Sequence, residues 1–369
     1  MLIKRNYGID LLRIISMLGI IGLHVIGQGG LLSSGSFDSI NYFIIYFFEI
    51  IFYSSVNIFA MITGYLYVNK KNLNYKNLIS LIFQIAFYCL LITFIFYGFN
   101  FFDVRTLGIK NLIISLFPPI AGRYWYIVCY ILVFFAIPYL NKLINSFDLY
   151  ELKKMLFTFF ILLSIITTFG FTDFFKINGG YSPFWLIFCY FLGAYINKAN
   201  FEKTSKLKLF ILFILSSVLT LVINCSVYYL TDYLFGIPKA NNLLLTYISP
   251  TIVFSSICIF IIFSLIKINS NKFITLLLKL SNAAFAVYCI HCHFLMYDFV
   301  FKSNFIFLMD LSPLIIIILI PLIIILIYLL CFIFEQLRLY LFKVFRIENL
   351  YSKIELLFKK IFLFFLKKI

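Results

Sequence analysis

The apolar residues of this chain arrive in blocks, and the blocks constrain it more than any other feature. Ten runs of roughly helix-spanning length occur at 8–27, 41–68, 78–98, 124–141, 155–171, 181–197, 208–230, 243–266, 280–301 and 312–337. About 20 apolar residues in helix cross a bilayer core, and in hydrocarbon only structures that satisfy their own backbone hydrogen bonds survive. A chain that is 64% hydrophobic and 12% charged, with mean hydropathy +1.07, has no soluble alternative, because soluble domains run nearer half apolar and a quarter charged. The expected fold is an all-α polytopic membrane protein of ten spans. The first run is too long for the apolar core of a signal peptide and lacks a small-residue cleavage site, so it is expected to remain as the first span.

The net charge of +16 does not point to nucleic acid, since no basic globular domain exists to present a patch. Its distribution is a topology signal. With the N-terminus placed in the cytoplasm, the inner segments carry 23 Lys and Arg and the outer ones 6, which by the positive-inside rule predicts that both termini are cytoplasmic. Residues 341–369 mix apolar and basic positions at helical spacing and are too interrupted by charge to span. They read as an amphipathic helix on an anionic leaflet, separate from a transmembrane domain over 1–340. Eight cysteines lie mostly inside apolar runs and suggest no disulfide framework. No internal repeat is visible, which disfavours an inverted-repeat transporter, and no large outer loop supports a glycan polymerase.

The first span carries three interruptions, Asp10, Arg13 and His24. Eleven residues at about 100° each bring His24 back to within about 20° of Arg13, and about 16 Å along the axis separates them. Asp10 lies three residues before Arg13, so all three share a face with Met17 and approximately Ile20. Polar groups at membrane depth face the bundle interior and mark reaction sites or pathways. Glu49, two turns into the second span, is expected to face the pore with a polar partner, Asn57 being the candidate on the same helix. "GRYWYI" places Arg123, Tyr124, Trp125 and Tyr126 at the entrance of another span, either as an interfacial aromatic belt or as a stacking surface. "CIHCH" (289–293) has the spacing of a haem attachment motif. On one helix Cys289, Cys292 and His293 would share a face suited to a metal, but an apolar span has no room for a macrocycle, so no metal is expected.

Arg13 and His24 within a first span opening "GIDLLR", "SVNIFAMITGYLYV" (55–68), "RYWYIVCYILVFFAIPYLN" (123–141) and "LSNAAFAVYCIHCH" (280–293) together resemble, in order, the motifs of the acyltransferase-3 family of integral-membrane O-acyltransferases. The resemblance spans nearly the whole chain. It implies transfer of an acyl group, often acetyl, from cytoplasmic acyl-CoA to a hydroxyl of a cell-surface or lipid-linked glycan, in the plasma membrane and with no tightly bound cofactor. The family's essential His and Arg fall on His24 and Arg13, with Asp10 fixing Arg13. Its late His falls on His291. Lys70, Lys71 and Lys76 after Tyr65 are expected at the mouth where the donor's phosphates enter. The family often has arginines there, and Thr63 stands where Ser is usual. Lysines bind phosphate as point charges, without the guanidinium fork. Arg123 and Trp125 are expected to line the acceptor side. The competing function is a transporter or flippase of a lipid-linked or small solute.

Overall fold

The computed structural model describes residues 5–70, 72–99, 113–114, 119, 123–170, 172–236, 242–269 and 271–366. Among them there are helices and turns and no strand. We number the helices α1 (Tyr7–Leu23), α2 (Ile40–Tyr67), α3 (Tyr75–Gly98), α4 (Trp125–Ser146), α5 (Leu149–Phe159), α6 (Pro183–Lys198), α7 (Lys206–Phe235), α8 (Pro250–Ser264), α9 (Asn271–His291), α10 (Pro313–Val344) and α11 (Ile347–Leu366). The first continues through a π-helical turn to Gln28, and α5 runs on to Phe169.

Among the described residues, eight helices are long and apolar enough to cross a membrane. The other two expected spans are shorter helices, α6 with 16 residues and α8 with 15. Both begin with proline after a serine, a start that fixes φ and needs no donor at the first helical position. The apolar residues before Pro250, such as Leu244 and Ile248, are buried in irregular chain, which hydropathy alone cannot distinguish from helix. A second difference concerns the expected span 280–301. Its helix starts earlier, at Asn271, and stops at His291. Cys292 and His293 lie in the break, and the chain resumes as a short turn at Phe294–Met296 and a π-helical turn at Tyr297–Phe301. The last span likewise runs past 337 to Val344 before α11 begins. On α11, Tyr351 is buried against Phe83 of α3, with ring centroids 5.2 Å apart, while Leu350, Leu356 and Leu357 are exposed.

Successive helices reverse direction. At one end, called proximal here, the Asn6 amide donates to Ser264 O (2.8 Å), the Asn197 amide to Tyr65 O (3.0 Å) and the Asn141 amide to Tyr67 O (2.7 Å). At the distal end the Asn41 amide donates to Met309 O and Leu311 O. α1 begins and α10 ends at the proximal end. The central helix is α1, with 72% of its apolar window buried against 28% for α7 and α10. In lipid, apolar helices gain little from burial as such and associate through close packing. Small residues provide it here. A β-carbon at Gly64 would collide with the backbone of Tyr190, and one at Gly193 with the backbone of Met61, so α2 and α6 cross at backbone contact.

One buried polar cluster was not anticipated, because the sequence reading assigned Arg338 to the basic segment beyond the last span. Arg338 Nε and Nη2 donate to the two carboxylate oxygens of Glu335 at 2.7 Å each. Tyr88 and Gln84 of α3 donate to the same carboxylate at 2.5 and 3.3 Å. The pair is satisfied on all sides and pins α10 to α3.

Candidate active site

The polar face of α1 survives folding as expected. Arg13 borders a recess of about 250 Å³, walled also by Thr63, Tyr67, Tyr130, Ser281 and Asn282. Met17, Ile20 and His24 border a cavity of about 90 Å³ with Tyr124, Trp125, Tyr247, Tyr288, Cys292 and Tyr297. Phe59, Tyr126 and Phe285 line both spaces. The two spaces follow one another along α1, with Arg13 nearer the proximal end and His24 deeper on the same helix.

Asp10 pairs with Arg13 as expected and, more closely, with Arg5. Arg5 donates to both of its oxygens at 2.8 Å, and this bonding raises the Arg5 pKa above its ordinary value. Arg13 Nη1 lies 3.7 Å from Asp10 Oδ1 and donates instead to Ser281 Oγ at 3.1 Å, while Ser281 donates to Asp10 at 3.2 Å. Ser281 thus links the two, a role no spacing argument on α1 would reveal, because it arrives from α9. Arg5 was counted only as a topology charge.

His24 opens the π-helical turn that ends the first span, a local rewinding frequent at functional sites. Its Nε2 lies 2.7 Å from the Tyr297 hydroxyl, and its Nδ1 lies 3.9 Å from Cys292 Sγ. The His291 ring stands 5.1 Å away, centroid to centroid. His291 is fully buried, and its Nδ1 is 2.5 Å from the Val287 carbonyl. A carbonyl can only accept, so Nδ1 carries the hydrogen of the neutral ring and Nε2 carries the lone pair. That lone pair faces Cys292 Sγ at 3.4 Å. The helix break at 292 creates this grouping. It also separates the trio expected on one helical face: Cys289 remains in α9, while His293 turns away and accepts from Leu295 N as a cap.

Tyr124, Trp125 and Tyr126 line the His24 cavity. Trp125 packs against Tyr181 (4.6 Å) and Tyr247 (6.1 Å). Tyr124 precedes α4 in the left-handed region at φ 59°, and its hydroxyl donates to the Cys289 carbonyl at 2.5 Å. A tyrosine so placed is a strained residue held by its surroundings, a feature that concentrates at functional sites. Arg123 is exposed, its guanidinium 4.4 Å from the Phe294 ring, and it does not border the His24 cavity.

Two expectations for the second span are corrected. Asn57 does not meet Glu49. Its amide donates to Tyr247 O and its oxygen accepts from Trp185 Nε1, both at 2.8 Å, which ties α6 and the Tyr247 loop to α2. Glu49 is 4% exposed, its Oε2 has no hydrogen-bond partner, and it borders neither space along α1. Asn57 lies eight residues on, about 12 Å along the helix axis, out of reach of the Glu49 carboxyl.

The lysines divide between two places. Lys70 stands 3.8 Å over the ring of Tyr67, which walls the Arg13 recess. Lys76 lies in the first turn of α3, half-buried, and Lys71 lies outside the described residues. Tyr65 borders a separate proximal recess of about 700 Å³ with Arg5, Asn197, Lys198 and Lys267.

No curated protein and no solved structure matches this chain. One family model does, described as an acyltransferase domain and covering residues 6–334. That stretch contains every helix from α1 to the last turns of α10, along with the Arg13 recess and the His24 cavity, and the chain belongs to the acyltransferase-3 family of membrane acyltransferases.

Proposed function

We propose that this protein is an O-acyltransferase, and specifically an O-acetyltransferase, that moves an acyl group from cytoplasmic acyl-CoA to a hydroxyl of a cell-surface or lipid-linked glycan. The reading places the proximal end in the cytoplasm and the protein in the plasma membrane, in keeping with the excess of Lys and Arg at that end. The observation that supports it is that the Arg13 recess and the His24 cavity follow one another along α1 and share the side chains of Phe59, Tyr126 and Phe285 in their walls.

In this reading the donor enters from the proximal end. Its phosphates meet Lys70 beside Tyr67, with Lys71 and Lys76, and its extended arm passes Arg13, whose guanidinium is free to bond a carbonyl or phosphate oxygen. Tyr65 with Arg5, Lys198 and Lys267 forms a second basic recess available to the nucleotide. The acyl carbon reaches the His24 cavity, and the acceptor sugar stacks against Trp125 from the distal side. His24 takes the proton of the attacking hydroxyl as it bonds to the acyl carbon, the bond from that carbon to its thioester sulfur breaks, and that sulfur is reprotonated to a thiol. Neutral imidazole is the side chain suited to this near pH 7. The tyrosine hydroxyl on His24 Nε2 orients the ring.

His24→Ala tests the proposal. Envelope glycans from cells making the variant should lack the base-labile acyl groups found with the unaltered protein, at equal protein level. Unchanged acyl content would remove His24 from the centre of the reaction.

A further inference from the structure

We infer that Cys292 carries the acyl group as a thioester between donor and acceptor, with His291 as the base that activates its thiol. The inference rests on the acyltransferase reading and deepens it.

All eight cysteines fall within the described residues. Cys292 borders the cavity that His24 borders, and it is placed there by the break after α9. Its sulfur meets a base of known tautomer. His291 donates from Nδ1 to the Val287 carbonyl, so the contact of Nε2 with Sγ at 3.4 Å runs from thiol to imidazole. A nucleophile in contact with a base that a third group orients is the arrangement of covalent catalysis. Nothing else in the structure explains why a fully buried imidazole should aim its lone pair at a sulfur on the wall of a cavity. The same sulfur lies 3.9 Å from His24 Nδ1. One thiol therefore meets two imidazoles whose ring centroids are 5.1 Å apart, an arrangement suited to a reaction in two halves.

In the first half, the Cys292 thiol gives its proton to His291 Nε2 and its sulfur bonds to the acyl carbon of the donor. The bond from that carbon to the CoA sulfur breaks, and CoA takes the proton from His291 and leaves as a free thiol. In the second half, the acceptor hydroxyl bonds to the acyl carbon and its proton passes to His24. The bond to Cys292 sulfur breaks, and the sulfur recovers a proton from His24. The products are ester, CoA thiol and the original cysteine, with no oxidant or reductant. Exchanging one thioester for another conserves the acyl group's reactivity, so the loaded protein stays competent to acylate an alcohol after CoA has gone. Donor and acceptor then need not occupy a cavity of about 90 Å³ together.

The same three side chains, His24, His291 and Cys292, have donor atoms within 4.8 Å of one another, a grouping that a zinc ion could also use.

The experiment loads purified full-length protein with radiolabelled acetyl-CoA, quenches in acid and maps the label by peptide mass spectrometry. Label is expected on Cys292, released by neutral hydroxylamine. It should disappear in Cys292→Ala, fall by about 100-fold or more in rate in His291→Gln, as expected for loss of a general base, and persist in His24→Ala, which lacks the second half. Cys292→Ser, nearly isosteric, provides a folded control and should transfer at least about 100-fold more slowly. The relay is overturned if the label sits on His24, if Cys292→Ala acetylates envelope glycan at the unaltered rate, or if the purified protein holds one zinc per chain bound through these residues. Each of those outcomes leaves the requirement for His24 in glycan acylation to be judged separately.

Discussion

Ser281→Ala isolates the link between Asp10 and Arg13. The hydroxyl accepts from Arg13 Nη1 at 3.1 Å and donates to Asp10 Oδ1 at 3.2 Å. Removing it leaves Asp10 in place, because Arg5 binds both of its oxygens at 2.8 Å. Arg13 is left only with its 3.7 Å ion-pair contact. Its side chain is 22% exposed and borders an open recess, so water replaces part of what is lost and the guanidinium is free to swing. A hydrogen bond to a charged group contributes about 1.5–3 kcal/mol. With water offsetting the upper part of that range and about 1.4 kcal/mol per tenfold in rate, the expected loss is about 10- to 30-fold in kcat/KM for the donor. The assay follows labelled acetyl from acetyl-CoA into envelope glycan in inside-out membrane vesicles, at equal protein and varied donor concentration. Folding should change little, since a single oxygen is removed. A variant within about twofold of the unaltered protein would refute the view that Arg13 must be held in register.

Two further perturbations read other parts of the structure. Tyr297→Phe removes the hydroxyl 2.7 Å from His24 Nε2 and should lower the transfer rate by about 2- to 12-fold, the range of a neutral hydrogen bond; an unchanged initial rate would free His24 from this partner. Glu335→Gln uncouples a buried pair in which Arg338 is bonded twice at 2.7 Å. It should destabilise the protein by up to about 3–5 kcal/mol, seen as a lowered melting midpoint in detergent or a loss of folded protein from the membrane, with per-molecule activity of the surviving protein retained.

The sequence made the architecture legible because hydropathy and positive charge act over whole segments. It made the polar face of α1 legible because helical geometry needs only residue spacing. What it could not disclose are contacts formed by breaks in that regularity. The stop after His291 brings Cys292 to His24, yet the run from 280 to 301 is mostly apolar and carries no glycine or proline to announce the break. Asn57 looked like a partner for Glu49 because both lie on α2, but the indole of Trp185 and the Tyr247 carbonyl claim it from two other elements. Ser281 is an unremarkable serine until α9 packs beside α1.

The buried arginines show why geometry, and not depth or charge, separates a site from a scaffold. Arg13 and Arg338 both stand three residues from an acid on a membrane helix, and on the sequence the two pairs differ mainly in order. In the fold, Glu335 meets Arg338 with two parallel hydrogen bonds at 2.7 Å, the remaining acceptor capacity goes to Tyr88 and Gln84, and the guanidinium covers the Phe342 ring at 4.7 Å. That guanidinium borders none of the spaces described above and has little left to offer a ligand. Asp10 is instead saturated by Arg5, so Arg13 keeps one hydrogen bond and a longer ion pair, and turns the rest of its donors to an open recess. A cation kept at membrane depth with donors unspent costs stability unless something binds it. On that reasoning, replacing Arg13 by an apolar residue should be far milder for folding than replacing Arg338, and far more damaging to transfer.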